Sequence, residues 1–129
     1  MEIINVIIKR GEDGMFLAEP QHNYNIGLHG YGKTAKDAIE DLKTVCEEAK
    51  EFCPELPNFE FNIKYEIPSF LQTYAGLFSL AGLQRITGVN QKQLSHYLNG
   101  NSIPSRHTSE KIKIAFDSFK HDLTSVQFV

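Results

Sequence analysis

Side chains suited to recognising another molecule are concentrated in the second half of the chain, just after Asn90. A short predicted helix over residues 91–98 carries five groups that donate or accept hydrogen bonds, namely Gln91, Lys92, Gln93, Ser95 and His96. This is an unusual amount of hydrogen-bonding capacity for one short helix, so its exposed side is a candidate surface for recognising another molecule. The alternative is a helix whose polar side chains only contact water.

Groups that could perform catalysis are not gathered in this way. His22 and His29 have no serine or cysteine near them in the context of a nucleophile. Two-metal hydrolysis requires several carboxylates around ions about 3.5–4 Å apart. The acids that could form such a site do not fall at clustered strand positions: Asp13, Glu19, Glu60 and Glu66. We therefore expect no enzymatic activity, no bound metal and no cofactor.

The two cysteines, Cys46 and Cys53, are expected to be reduced. They lie in one predicted helix, where a rise of about 1.5 Å per residue separates them by about 10 Å, too far for a disulfide. No Cys-x-x-Cys pair or histidine cluster accompanies them, so we interpret them as core thiols. No apolar run approaches the roughly 20 residues that cross a membrane, and the N-terminus lacks the basic residues of a secretion signal. We expect a cytoplasmic protein without membrane contact.

The first 67 residues predict the element order βββαβ. Residues 2–9, 15–19 and 22–32 combine β-branched or aromatic residues with turn residues between them, which predicts three antiparallel strands. Thr34 is the predicted N-cap of a long helix, whose apolar residues recur at three- and four-residue intervals. Prolines end that helix, and strict alternation over 59–67 predicts a fourth strand with one buried face.

After this strand the pattern is helical throughout. We predict four helices: 69–74, 80–87, 91–98 and 108–123. Thr108 is the predicted N-cap of the last one. The chain therefore divides into a βββαβ domain over residues 1–67 and a small all-α domain over residues 68–129, which together make an α+β fold.

The formal charge divides at the same place. The whole chain carries −3, from 13 Lys+Arg and 16 Asp+Glu. Residues 1–66 hold seven of the basic and 13 of the acidic residues, a charge of −6, whereas residues 67–129 hold six and three, a charge of +3. This division favours a basic macromolecule as partner of the first domain and a polyanion as partner of the second. The alternative is two solvated surfaces that differ only in charge.

The helices over 80–87 and 91–98 have the residue pattern of a helix-turn-helix. Gly88 lies where the chain must leave the first helix in a left-handed conformation, which glycine adopts at little cost. Asn90 is placed to cap the second helix. Four apolar residues are spaced to pack the two helices together: Leu83, Val89, Leu94 and Tyr97.

With the Asn99-Gly100 turn, the Pro104 loop and the Thr108–Ile112 segment, this region resembles the phage-repressor (Xre-type) DNA-binding domains. The resemblance implies major-groove contacts by Gln91, Lys92, Gln93 and His96. Ser95, on the same helix, belongs to the same predicted DNA surface. The resemblance also implies phosphate contacts, which position the protein on DNA, by Asn99, Asn101, Ser102 and Arg106. Gln84 departs from the family, which often has alanine there.

The first domain resembles the HicB antitoxin family in two short motifs. One is the hairpin end Gly14-Met15-Phe16-Leu17-Ala18-Glu19-Pro20, and the other is Gly32-Lys33-Thr34 leading into Ala38-Ile39. The order of these motifs, followed by the helix-turn-helix, extends the resemblance over nearly the whole chain. Two features depart from the family: residues 21–27 replace its usual stretch after the proline, and Asp37 stands where it has glutamate.

This resemblance implies the antitoxin of a type II toxin–antitoxin system. Its first domain would be a partial RNase H-like fold that inhibits a small basic HicA-like toxin, an mRNA-cleaving ribonuclease. The toxin would bind the acidic surface of residues 1–66, at residues that the sequence does not identify. The helix-turn-helix domain would repress its own operon by binding operator DNA as a homodimer or higher homo-oligomer.

Two other functions fit the same residues. A free-standing transcription regulator would use the first domain to sense a small molecule, which requires an apolar pocket with a few polar groups. A residual nuclease would cleave RNA with bound metal ions.

Overall fold

The computed structural model describes residues 1–11, 13–21 and 27–129. The chain forms two compact units, Met1–Ser69 and Phe70–Val129. Its described residues form a mixed four-stranded sheet and five α-helices, so the fold class is α+β, as predicted.

The first unit contains the sheet and one long helix. Its elements are β1 (Glu2–Arg10), β2 (Phe16–Pro20), β3 (Gly30–Gly32), α1 (Ala35–Phe52) and β4 (Phe59–Tyr65). The strands lie in the spatial order β3-β2-β1-β4. β2 pairs antiparallel with both β1 and β3, whereas β4 pairs parallel with β1. The parallel pair forms because α1 carries the chain back along the sheet before β4 begins.

Helix α1 begins at the predicted N-cap. The Thr34 Oγ1 accepts a hydrogen bond from the Asp37 backbone nitrogen at 3.0 Å. The helix ends at Phe52, and the N–H of Cys53 still donates to the Ala49 carbonyl. The buried core between helix and sheet contains Ile4, Val6, Ile8, Phe16, Ala18, Leu28, Ala35, Ala38, Leu42 and Cys46.

Strand β3 lies so close to α1 that its two glycines leave no space for a side chain. A Cβ atom on Gly32 would lie 2.5 Å from the Ala38 backbone nitrogen, and one on Gly30 would overlap the Ala38 carbonyl oxygen. Glycine at both positions therefore permits the contact between helix and strand. The sequence predicts a third strand with loops within residues 22–32, and β3 occupies the end of that range, while residues 22–26 lie outside the described residues.

The second unit is helical. Its elements are α2 (Ile67–Tyr74, which begins before the unit boundary), a 3-10 helix (Ala75–Leu77), α3 (Leu80–Thr87), α4 (Gln91–Leu98) and α5 (Arg106–Thr124). Four core side chains of these helices are each at most 1% exposed: Leu71, Leu83, Leu94 and Ile112. Phenylalanine rings pack edge-to-face beside them, as between Phe70 and Phe116, whose centroids are 4.8 Å apart.

Helix α5 begins earlier than the sequence suggested. Its N-cap is Ser105, whose Oγ accepts a hydrogen bond from the Thr108 backbone nitrogen at 3.1 Å. The prediction of Thr108 as the cap was wrong because a serine one turn earlier caps the helix instead. Arg106 is therefore the first residue of α5.

Candidate nucleic-acid interface

Local hydrogen bonds define α3, the turn after it and α4. Ser79 caps α3, and its Oγ accepts from the Gly82 nitrogen at 2.9 Å. Gly88 ends α3 with a φ of 74°, in the left-handed region. Asn90 caps α4, and its Oδ1 accepts from the Gln93 nitrogen at 2.8 Å. The predictions for Gly88 and Asn90 are confirmed.

The two helices and the turn share a buried core. Leu83, Val89, Leu94 and Tyr97 are each at most 5% exposed, as their spacing predicts. Thr87 is buried with them, and its Oγ1 donates to the Leu83 carbonyl at 2.7 Å and accepts from the Val89 nitrogen at 3.2 Å. The hydroxyl therefore provides a hydrogen-bond partner for both the Leu83 carbonyl and the Val89 N–H inside the core, and so it fixes the start of α4.

Two side chains from other helices hold this segment in place. The Lys111 Nζ of α5 donates to the Gly88 carbonyl oxygen at 3.4 Å. The Gln72 Nε2 of α2 donates to the Leu98 carbonyl oxygen, at the end of α4, at 2.6 Å. Both are positioning residues that the sequence interpretation missed. Their partners lie 23 and 26 residues away, and no local pattern marks such contacts.

The end of α4 is closed by a Schellman motif around Gly100, whose φ is 75°. The Gly100 N–H donates to the Tyr97 carbonyl at 3.3 Å, and the Asn101 N–H donates to the His96 carbonyl at 2.9 Å. The Ser102 N–H donates to the same His96 oxygen at 3.3 Å. The loop that carries Asn101 and Ser102 is thus tied to the helix with the predicted base-reading residues.

The side of α4 that faces away from the core is polar. Its exposed side chains are the four predicted base-reading residues, Gln91, Lys92, Gln93 and His96. Because successive helical residues are about 100° apart, Lys92 and His96 lie at the centre of this side, with Gln91 and Gln93 on its two flanks. The helix therefore presents amide, ammonium and imidazole groups together on one surface.

The predicted phosphate-contacting residues lie at the end of α4 and the start of α5. The Asn99 Nδ2 donates to the Oγ of half-buried Ser95 at 3.5 Å. Asn101 and Ser102 are exposed in the loop, and Arg106 is exposed in the first turn of α5. No side-chain hydrogen bond joins Arg106 to α4 within the described part of the chain. The structure brings Ser95 and Asn99 together and places Arg106 on a separate element.

The helix N-termini of the second unit are free of acidic residues. The first turns of α3, α4 and α5 contain no Asp or Glu, whereas α1 has Asp37 there. The N–H groups and partial positive charge of these helix ends are not neutralised by a carboxylate of the same turn. Residues 70–129 also carry a formal charge of +3. The second unit is electrostatically suited to a polyanion.

No group of three or more His, Cys, Asp or Glu side chains is placed to hold a metal ion in the described parts of the chain. The His29 Nδ1 is 2.9 Å from the Gly27 carbonyl oxygen, and His22 lies outside the described residues. Cys46 is buried, Cys53 is half-buried, and both are free thiols. None of the described helices is long and apolar enough to span a membrane.

Comparison of the chain with protein-family models, curated proteins and solved structures found no match. What the chain binds is therefore inferred from its own residues. Two features of the chain indicate what it binds: the polar side of α4 and the opposite formal charges of the two units.

Proposed function

We propose that the second unit is a helix-turn-helix domain that binds DNA with α4 as its recognition helix. The observation that carries this proposal is the exposed polar side of α4, which a buried core and two hydrogen-bonded turns hold in one position. A single α-helix fits the major groove of B-DNA, where each base pair presents a distinct set of donors and acceptors. A rigid helix with several exposed hydrogen-bonding groups is suited to that surface.

Each side chain has a role in this proposal. Gln91 and Gln93 read adenine, while Lys92 and His96 bond to purine edges or nearby phosphates. Ser95 and Asn99, already in contact with each other, approach the backbone beside the groove. The remaining phosphate contacts, which fix register without reading sequence, come from Asn101, Ser102 and Arg106.

We propose that the first unit is a HicB-like, partial RNase H-like domain that inhibits a small basic ribonuclease toxin. Residues 1–69 carry a formal charge of −6, as do residues 1–66. Part of this charge lies on the outer side of α1, where five carboxylates are exposed: Asp37, Glu40, Glu47, Glu48 and Glu51. Such a surface attracts a protein whose own ligand is RNA and competes with that RNA.

The lysines of α1 only partly neutralise this surface. Lys43 pairs with Glu40 at 3.5 Å, and Lys50 pairs with Glu47 at 3.1 Å, both within the helix. Exposed pairs of this kind contribute little energy, so a basic partner can displace them. Glu48 and Glu51 make no ion pair among the described residues.

The two units together define an antitoxin that represses its own operon. As a homodimer or higher homo-oligomer it would read two operator half-sites about one DNA turn apart. Both activities belong to the cytoplasm, where operator DNA and mRNA are found. The chain itself has no catalytic role in this proposal, and it requires no cofactor.

The DNA-binding arm is tested with the full chain and two labelled duplexes. One contains the DNA immediately upstream of the chain's own reading frame, and the other has the same composition in shuffled order. We expect tighter binding to the first duplex, and we expect K92A to weaken it. The matched control is K113A, which removes an exposed lysine of α5 outside the proposed surface. Equal affinity for both duplexes, or equal effects of K92A and K113A, would overturn the assignment of α4.

A further inference from the structure

The outer edge of β4 carries no further strand among the described residues. Within the described ranges, β4 is the last strand in the sheet order and β1 is its one partner strand. Its seven residues make it longer than β3, the strand at the opposite edge, which has three. Exposed edges of this length pair readily with another strand, because a row of backbone groups points outward.

The inner side of β4 is also incompletely covered. Helix α1 contacts chiefly β3 and β2, so it lies toward the opposite edge of the sheet. The inward-facing residues of β4, among them Phe61 and Ile63, are therefore only half-buried. A groove of about 580 Å³ runs between β4 and α1, with Ile39 and Cys46 on its helix side.

Two hydrogen bonds show which backbone groups of β4 point outward. The Asn58 carbonyl accepts from the Glu2 nitrogen at 2.9 Å, and the Glu66 nitrogen donates to the Ile8 carbonyl at 3.0 Å. Both bonds are made to β1 by the even-numbered residues that directly flank β4. Because backbone direction alternates along a strand, the odd-numbered residues direct their groups to the outer edge.

The sequence of β4, Phe-Glu-Phe-Asn-Ile-Lys-Tyr, is complementary to itself when one copy is reversed. An antiparallel pair centred on Asn62 places Glu60 opposite Lys64 of the second copy, and Phe61 opposite Ile63. The odd-numbered pairs would exchange the outward backbone hydrogen bonds. The even-numbered pairs would be the closely spaced, non-hydrogen-bonded ones, which bring the opposite charges together.

The charges select this register over its neighbours. Centring the pair on Ile63 would place Glu60 opposite Glu66 of the second copy, and centring it on Phe61 would place Lys64 opposite Asn58. On the β1 side, the residues in register with Glu60 and Lys64 are isoleucines, Ile3 and Ile7. Of these three registers, only the pair centred on Asn62 brings opposite charges directly across the strands.

We propose that two copies of the chain associate through antiparallel β4–β4 pairing, which makes one sheet continuous across both first units. The twofold axis passes beside Asn62, and each copy contributes the same surface, as in most homodimers. Pairing through β4 requires neither DNA nor toxin. It also covers part of the half-buried side of β4 in each copy.

Disulfide trapping in the full chain tests the position of the axis. In a C46A/C53A background, N62C brings two Cα atoms to about 4.5 Å, within the range of a disulfide. K64C is the matched control, because the same residue of the two copies would be about 13 Å apart at four residues of strand rise. We expect rapid covalent dimer from N62C and little from K64C. Equal rates for the two variants would overturn the proposal.

Charge reversal in the N62C chain tests the register with the same readout. E60K or K64E alone places like charges opposite each other at both ends of the pair, so we expect cross-linking about tenfold slower. In an equimolar mixture of the two variants, each mixed pair has opposite charges at both positions, so the mixture should cross-link several times faster than either variant alone. Recovery in the mixture is not expected if either substitution acts by damaging the fold. Failure of the mixture to recover would contradict the register.

Discussion

At the scale of single residues, the proposed DNA surface separates side chains that read sequence from those that fix position. Gln91 and Gln93 lie in the first turn of α4 and are exposed. We predict that Q91A or Q93A costs about 1–3 kcal/mol of binding free energy at the cognate operator, because a paired contact with one base is lost. Fluorescence anisotropy with cognate and shuffled duplexes measures this. An equal loss on both duplexes would sink the base-reading role.

Arg106 should behave differently, because a phosphate contact carries no sequence information. R106A is expected to weaken binding to all duplexes alike and to make affinity less dependent on salt, by about one unit in the slope of log K against log salt concentration. A titration of the variant at several salt concentrations measures the slope. A loss confined to the cognate duplex would place Arg106 among the base-reading residues instead.

The two thiols should differ in reactivity. Burial raises the pKa of the Cys46 thiol, Glu47 acts in the same direction, and Lys50 opposes them. Less of the reactive thiolate is therefore present at a given pH, and the buried sulfur is also shielded from reagent. We predict that iodoacetamide alkylates half-buried Cys53 first and Cys46 only as the first unit opens. Mass spectrometry of the time course measures this, and C53S should remove the fast phase.

At the scale of elements, the turn between α3 and α4 depends on a backbone conformation that favours glycine. With a φ of 74° at Gly88, G88A is expected to destabilise the second unit by about 1–2 kcal/mol. Gly76 offers a matched control, because its φ is not positive and a Cβ there would meet nothing within 4 Å. Urea denaturation followed by circular dichroism compares the two. Similar midpoints for G88A and G76A would contradict the left-handed turn.

The contact between β3 and α1 also depends on glycine, but here because the close approach of strand and helix leaves no space for a side chain. G32A would force backbone atoms of α1 to move, so we expect a loss of about 1–3 kcal/mol in the stability of the first unit. The neighbouring Tyr31 is 59% exposed, and Y31T should change stability by about 0.5 kcal/mol or less. Denaturation midpoints of the two variants test this. An unchanged midpoint for G32A would show that α1 does not lie so close to β3.

The bounds of a helix or strand could be predicted from the sequence where they depend on residues close to each other in the chain. The bounds of α3 and α4 follow from Gly88, Asn90 and the apolar spacing around them, and all of these act within a few residues. The start of α5 was misplaced because Ser105 and Thr108 are both capable caps three residues apart. The parallel pairing of β4 and the bond from Lys111 to Gly88 were not predicted, since each joins distant parts of the chain.

At the scale of the whole molecule, the net charge does not show how charge is divided between the two units. A value of −3 argues against nucleic-acid binding, but it is the sum of −6 in the first unit and +3 in the second. The second unit also lacks acids in its first helical turns, whereas the first unit exposes carboxylates along α1. The two units therefore suit partners of opposite charge, as an antitoxin that binds both a basic toxin and DNA requires.

The central claim is tested most directly by growth of cells that express a small basic protein of under about 100 residues from a reading frame beside this one. Expression of that neighbour alone should arrest growth, and co-expression of the full chain should restore it. E48K/E51K, which reverses two exposed carboxylates of α1, should restore growth less well than E55K, a control outside the helix. Persistent arrest in the presence of the full chain would contradict the antitoxin and favour a free-standing regulator.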